Sequence, residues 1–261
     1  MPDHGLGRLP FSSDERDYPV ERLKAMIAEG TAVPLKWSVP RILDQGGNGT
    51  CVSAGTLGAL DCDDETHTDP GFTSDAILPF FEKIAGHGAL PGGGAEVREG
   101  LKAAKAAGYI TAYSLLTTTA QIKDWQEKHG PVLFGADWTS AMESPDDKGY
   151  VTFGGDVVGG HCFYGNGDVG GQDFVNSWSD QWGDRGHFYM TDAEFARLQN
   201  GDFESWALVQ AAPAPVPAPT PGPTSVKAEL QAVIDSLSSI RFRCNKLKAG
   251  IAALKDIVAK L

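Results

Sequence analysis

The chain of 261 residues is poor in cysteine, in basic residues and in long apolar runs. Its four cysteines (Cys51, Cys62, Cys162 and Cys244) form no CxxC pair, which argues against a zinc or other metal site and against a disulfide framework. The net charge of −12 argues against nucleic acid as a partner. No apolar run approaches the roughly 20 residues of a membrane span.

The first residues, "MPDHGLGRLPFSSDERDYPVERL", lack the apolar core of a signal peptide. Together with the few cysteines, this predicts a soluble protein that is cytoplasmic when made and folds in a reducing compartment. No feature of the sequence requires a cofactor.

Proline occupies every second position from 213 to 223, within "AAPAPVPAPTPGPT". This spacing enforces extended polyproline geometry and predicts a semi-rigid linker over residues 211–224. A ligand for an SH3 domain is the alternative, but no flanking basic residue would orient it. The prediction divides the chain into a domain over 1–210, the linker over 211–224 and a C-terminal helix over 225–261.

Apolar residues in the last segment recur at alternating spacings of four and three, from Val226 to Leu261. This pattern is typical of the seam of a coiled coil. The alternative is an amphipathic helix docked on its own domain, whose apolar face is normally wider. We expect the helix to bind copies of itself as a parallel homo-oligomer, and favour a trimer over a dimer.

Before the linker, helical patterns come first and strand patterns follow. Helices are predicted over 50–62, 74–86, 95–108 and 121–130, because apolar residues recur at helical spacing and glycine closes three of the segments. Strands are predicted over 131–138, 149–155, 161–167, 172–178 and 186–191, between glycine and aspartate turns. The order indicates an α+β fold with an antiparallel sheet.

Three stretches carry candidate chemistry. "DQGGNGTCVSAG" places Cys51 at the first turn of a predicted helix, where free N–H groups and the helix dipole favour a thiolate. "GGHCFYGNG" supplies His161, an imidazole that could take the thiol proton. Asn176, in "NSW", could orient that ring, and Gln45 could donate N–H groups to an oxyanion.

These stretches resemble the motifs of the papain-like cysteine peptidases. "DQGGNGTC" resembles DQGxCGSC, "GGHCFYGNG" resembles GxHAVxxxG, and "NSWSDQWGDRGHFYM" resembles NSWGxxWGxxGYxxM. All three occur in the family's order, and the resemblance spans roughly residues 10–210. It implies a helical lobe, an antiparallel β lobe and a cleft between them that binds a peptide or protein substrate.

The resemblance also implies the role of each site residue. Cys51 would be the nucleophile, His161 the base and Asn176 its orienting partner. Gln45 would complete the oxyanion hole, and Trp178 would shield the bond between His161 and Asn176 from water.

Two further site residues are weaker candidates. "PGGGAEV" falls where the family has a glycine pair that binds the substrate backbone, so Gly93 and Gly94 are candidates for that role. A loop before a helix is an equal alternative for both.

The sequence departs from the family at Asn48, which replaces a disulfide cysteine, at Val52, which replaces a tryptophan, and at Cys162, which replaces an alanine. "SSDERDYPV" is similar to the lead-in of bacterial and viral relatives that also lack this disulfide. The expected function is therefore peptide-bond hydrolysis by a thiol protease held on an oligomeric stalk. The alternative is a structural or adhesion component of a bacteriophage particle, bound to other phage proteins, with its catalytic residues idle or acting on host surface peptides.

Overall fold

The computed structural model describes residues 4–14, 17, 19–24, 37–62, 71–168 and 172–211. The predicted coiled coil over 225–261, and all of the predicted linker except Ala211, lie outside these residues. None of the described helices is long and apolar enough to cross a membrane. The helices are α1 (Val20–Lys24), α2 (Cys51–Leu60), α3 (Ile77–Phe81), α4 (Val97–Ala106), α5 (Thr119–Lys128) and α6 (Asp192–Leu198). The strands are β1 (Ile110–Leu116), β2 (Val132–Thr139), β3 (Val157–Asp168), β4 (Gln172–Val175), β5 (His187–Met190) and β6 (Phe203–Gln210).

Helix α2 is buried along its whole length. Its sequence, CVSAGTLGAL, is apolar or small on every side, as a helix surrounded by protein requires. Two glycines allow its close approach to β3: a Cβ at Gly55 would lie 3.0 Å from Cys162 Sγ, and one at Gly58 would lie 2.5 Å from the Tyr164 ring. The start of α2 is therefore fixed against the sheet.

The six strands form one antiparallel sheet in the order β1-β6-β2-β3-β4-β5. Ala136 of β2 lies opposite His161 of β3, while its neighbour Gly135 lies opposite both Cys162 and Glu204. One face of the sheet packs against α2 and α4, with α3 packed on α2 in the same core, and the other packs against aromatic side chains, α5 and α6. The α+β class is thus confirmed.

Several boundaries differ from the predictions. The predicted strand over 149–155 is wrong, because Tyr150 makes only an isolated bridge and Gly149 and Gly155 have positive φ. Strands β1 and β6 were not predicted. Helix α6, which begins at Asp192 after the N-cap Thr191, was also missed.

Candidate active site

Cys51 is the first residue of α2 and is completely buried. Burial raises the pKa of its thiol to about 11, against hydrogen bonds from the backbone of Cys162, Gly7 and Val52 that lower it. The bond from Cys162 places the sulfur beside β3, next to the position of His161. Cys51 is therefore a neutral thiol in this form of the protein.

His161 of β3 is bonded to Asn176, which follows β4. The distance from His161 Nε2 to Asn176 Oδ1 is 2.8 Å, and the same oxygen accepts a hydrogen bond from the Ser177 N–H at 2.7 Å. An amide oxygen that already accepts from Ser177 N–H holds the ring so that Nε2 donates. Among the described residues, His161 Nδ1 has no hydrogen-bond partner. It is free to take a proton.

Two tryptophan rings enclose His161. The Trp178 ring lies 4.7 Å from the His161 ring centroid, and the Trp138 ring lies 4.9 Å from it. Burial lowers the pKa of His161 to about 4, against the bond to Asn176 that raises it. The imidazole is therefore neutral at pH 7 while the site is closed.

Gln45 lies in the loop before α2 and is fixed on both ends of its amide. Its Oε1 accepts a hydrogen bond from Ser177 Oγ at 2.6 Å, and its Nε2 donates to the carbonyl of Asn48 at 2.8 Å. The remaining Nε2 hydrogen bond, at 2.9 Å, goes to the carbonyl of Gly5. The Gly5 carbonyl thus accepts the Gln45 hydrogen bond that was predicted to stabilise an oxyanion.

Residues 4–9, here named the cleft segment, cover this whole site. The His4 ring stacks on Trp178 at 4.5 Å, and the N–H groups of Gly7 and Arg8 both donate to the carbonyl of Gly160, at 3.1 and 2.9 Å. The Ala95 N–H donates to the Gly7 carbonyl at 2.8 Å, and the Leu9 N–H donates to the Ala95 carbonyl at 2.9 Å. The segment therefore lies in the site as an extended peptide held by its backbone.

The two glycines predicted to bind the substrate backbone, Gly93 and Gly94, contact different parts of the protein. A Cβ at Gly94, where φ is +125°, would lie 3.0 Å from the Gly7 carbonyl oxygen, so this glycine lines the cleft segment. A Cβ at Gly93 would instead meet Phe81 at 3.1 Å. Next to these glycines, it is Ala95 that makes backbone hydrogen bonds to the segment, and the sequence did not single out this residue.

Solved structures share this arrangement of helices and sheet. Xylellain, a cysteine protease from Xylella fastidiosa, matches with a TM-score of 0.60 and 18% identity over 82% of this chain and 98% of its own. The digestive procathepsin L2 proteinase from Tenebrio molitor larval midgut matches with a TM-score of 0.56 and 13% identity, over 79% of this chain and 78% of its own. The chain has the papain-like fold. No protein-family model and no curated protein sequence matches it.

Within the papain-like fold, the structure brings Gln45, His161, Asn176 and Trp178 together around the cleft segment, with Cys51 beside β3. Sequence reasoning missed the residues that hold the segment: His4, Arg8, Asp202 and Glu204. Only the glycine spacing of "HGLGRLP" could have indicated a backbone able to enter a narrow cleft.

Proposed function

We propose that the protein is a cysteine peptidase that hydrolyses peptide bonds with Cys51 as nucleophile and His161 as general base. The observation that carries the proposal is the buried hydrogen bond from His161 Nε2 to Asn176 Oδ1 at 2.8 Å. It leaves Nδ1 without a partner among the described residues, on the same strand whose next residue, Cys162, bonds Cys51. A papain-like fold alone would not require a histidine in this state. Peptide or protein chains are the proposed substrates.

The reaction begins when a substrate displaces the cleft segment. The Cys51 thiol gives its proton to His161 Nδ1, and the sulfur attacks the substrate carbonyl carbon. Gln45 Nε2 and the Cys51 backbone N–H donate hydrogen bonds to the oxyanion, in place of the present bond from Gln45 to Gly5. His161 then protonates the leaving amine, and water hydrolyses the thioester.

Asn176 and Trp178 act through His161 in this proposal. Asn176 fixes the ring so that Nδ1 faces the sulfur, and Trp178 keeps water from their bond. Gly94 and Ala95 would bind the substrate backbone where they now line or bond the cleft segment.

Kinetics of two variants test the proposal on a fluorescently labelled denatured protein. Cys51→Ala and His161→Ala should each lose at least about 10³-fold in kcat/KM, because nucleophile and base act as a unit. Cys62→Ala removes another buried cysteine that lies outside the site, and should retain the wild-type value. Wild-type turnover by folded Cys51→Ala would refute the mechanism.

A further inference from the structure

Two carboxylates beside the candidate active site hold the side chain of Arg8. Arg8 Nε donates to Glu204 Oε1 at 2.9 Å, while Nη1 and Nη2 donate to the two oxygens of Asp202 at 2.9 and 3.1 Å. The side chains of Arg8 and Glu204 are 1% and 2% exposed, and that of Asp202 is 33% exposed. The guanidinium is thus bound in a bidentate fork on one side and by a single bond on the other.

The pocket that the Arg8 guanidinium occupies, between Asp202 and Glu204, lies directly beside the residues proposed for catalysis. Glu204 of β6 is opposite Gly135 of β2, one position from the pair formed by Ala136 and His161. A Cβ at Gly135 would lie 2.7 Å from Glu204 Oε1 and 2.8 Å from Arg8 Nε. The absence of a side chain at Gly135 therefore leaves the space that the guanidinium fills.

The Arg8 side chain extends into the pocket from the cleft segment, whose backbone is hydrogen-bonded like that of a bound peptide. Its N–H donates to the carbonyl of Gly160, the residue before His161, and it forms a parallel bridge with Ala95. A substrate that displaces the cleft segment would leave Glu204 Oε2 bonded to the Trp206 indole N–H at 2.7 Å, but would remove the guanidinium from Oε1. A substrate side chain that supplies a cation there restores the charge-assisted hydrogen bond and is favoured.

We propose that Gly135, Asp202 and Glu204 form a substrate pocket selective for an arginine side chain, which Arg8 occupies in the resting protein. The inference rests on the proposed peptidase function and names its substrate class. Arginine fits better than lysine, because a planar guanidinium can satisfy Asp202 and Glu204 together, whereas an ammonium group is a compact point charge. Substrate arginine and Arg8 therefore compete for one pocket.

Paired peptide substrates test this selectivity with the full-length chain. Internally quenched peptides would carry one arginine, or in matched peptides citrulline or lysine at the same position, with the cleaved bond mapped by mass spectrometry. We expect kcat/KM for the arginine peptide to exceed that for the citrulline peptide by at least about tenfold, because citrulline has the same shape without the charge. Lysine should fall between them.

Two variants and a control distinguish a substrate pocket from a salt bridge that only stabilises the fold. Arg8→Ala empties the pocket and should raise hydrolysis of the arginine peptide more than that of the citrulline peptide. Glu204→Gln should lower the ratio of the two peptides, although Asp202 remains, and Asp156→Asn, an exposed carboxylate elsewhere, should leave the ratio unchanged. Equal hydrolysis of both peptides by the wild-type chain and by Arg8→Ala would overturn the inference. If Arg8→Ala does not fold, the wild-type ratio and its decrease in Glu204→Gln decide alone.

Binding distinguishes failure of this inference from failure of the proposed function. If no peptide is cleaved, the proposed function fails, and calorimetry of the same peptides with the full-length chain and Arg8→Ala then tests the pocket. Tighter binding of the arginine peptide would support an arginine site. Equal or undetectable binding of both peptides would overturn it.

Discussion

His161 is held neutral between the rings of Trp138 and Trp178. Burial, the largest cause, lowers its pKa from 6.5 to about 4, although the bond to Asn176 opposes this. Between pH 6.5 and about 4, the His161 imidazole is protonated in the unfolded chain and neutral in the folded protein. Stability contributed by His161 is therefore fully present above pH 6.5 and is lost as the pH falls towards 4.

Chemical denaturation followed by tryptophan fluorescence measures this loss. Acidification from pH 6.5 to 4 should cost the wild-type chain about 3 kcal/mol of unfolding free energy through this residue. His161→Gln should lack that contribution and show a shallower slope. Identical slopes in the two proteins would contradict a neutral, buried His161.

At the scale of single residues, sequence reasoning identified those in local motifs. Cys51, His161 and Asn176 each lie in a short stretch whose glycine and aromatic pattern marks its role. Arg8 and Glu204 could not be paired this way, because 196 positions separate them and neither lies in a motif. Only the antiparallel pairing of β6 with β2 brings Glu204 to the cleft.

The cleft segment depends on glycine at two positions where its backbone passes close to the loop before α2. A Cβ at Gly5 would overlap the carbonyl group of Asn48, and one at Gly7 would overlap the backbone of Gly49. These contacts are with backbone atoms, which cannot move aside as a side chain can. Any side chain at Gly5 should therefore weaken the seating of the segment.

Gly5→Ala should open the site to reagents and substrates. If the free energy that holds the cleft segment in place falls by about 1–2 kcal/mol, the rates of Cys51 alkylation and of peptide hydrolysis should rise ~10-fold. Gly154→Ala is the matched control, since a Cβ there meets only Arg197 Nη2 at 4.0 Å. An unchanged or lower rate in Gly5→Ala would show that the segment does not limit access.

At the scale of elements, the fold class and most helices followed from periodicity. Helix α2 and strands β2 to β5 have patterns dictated by burial on one or both sides. Strand β6 was missed because FESWALVQ places a buried glutamate and serine in an interior strand, where polar residues weaken the apolar signal. Within the described part of the chain, the Glu204 carboxylate is bonded there to Arg8 and Trp206.

Beyond the described residues, the heptad pattern over 226–261 predicts that the whole molecule is an oligomer. Its 36 positions correspond to a rod of about 54 Å, long enough for a stable coiled coil but marginal as a lone helix. Sedimentation at micromolar concentration should find a trimer or dimer for the full chain. The variant Leu247→Pro, which breaks the seam, should sediment as a monomer; a monomeric full chain would contradict this.

The idle bacteriophage component considered as an alternative gains no support from the described residues. Its virion assembly and phage partners rest on the predicted stalk and on the unusual Val52 and Cys162. The same stalk is compatible with an active peptidase, because oligomerisation through residues 226–261 places no requirement on the cleft.

Intact-mass analysis after treatment with an epoxysuccinyl inhibitor shows whether Cys51 acts as a nucleophile once the cleft segment is displaced. We expect one adduct on the full chain, formed slowly in the wild type and faster in Arg8→Ala, retained in Cys62→Ala and absent from Cys51→Ala. An adduct that persists in Cys51→Ala, or no adduct on Cys51 even in a folded Arg8→Ala protein, would contradict this role of Cys51.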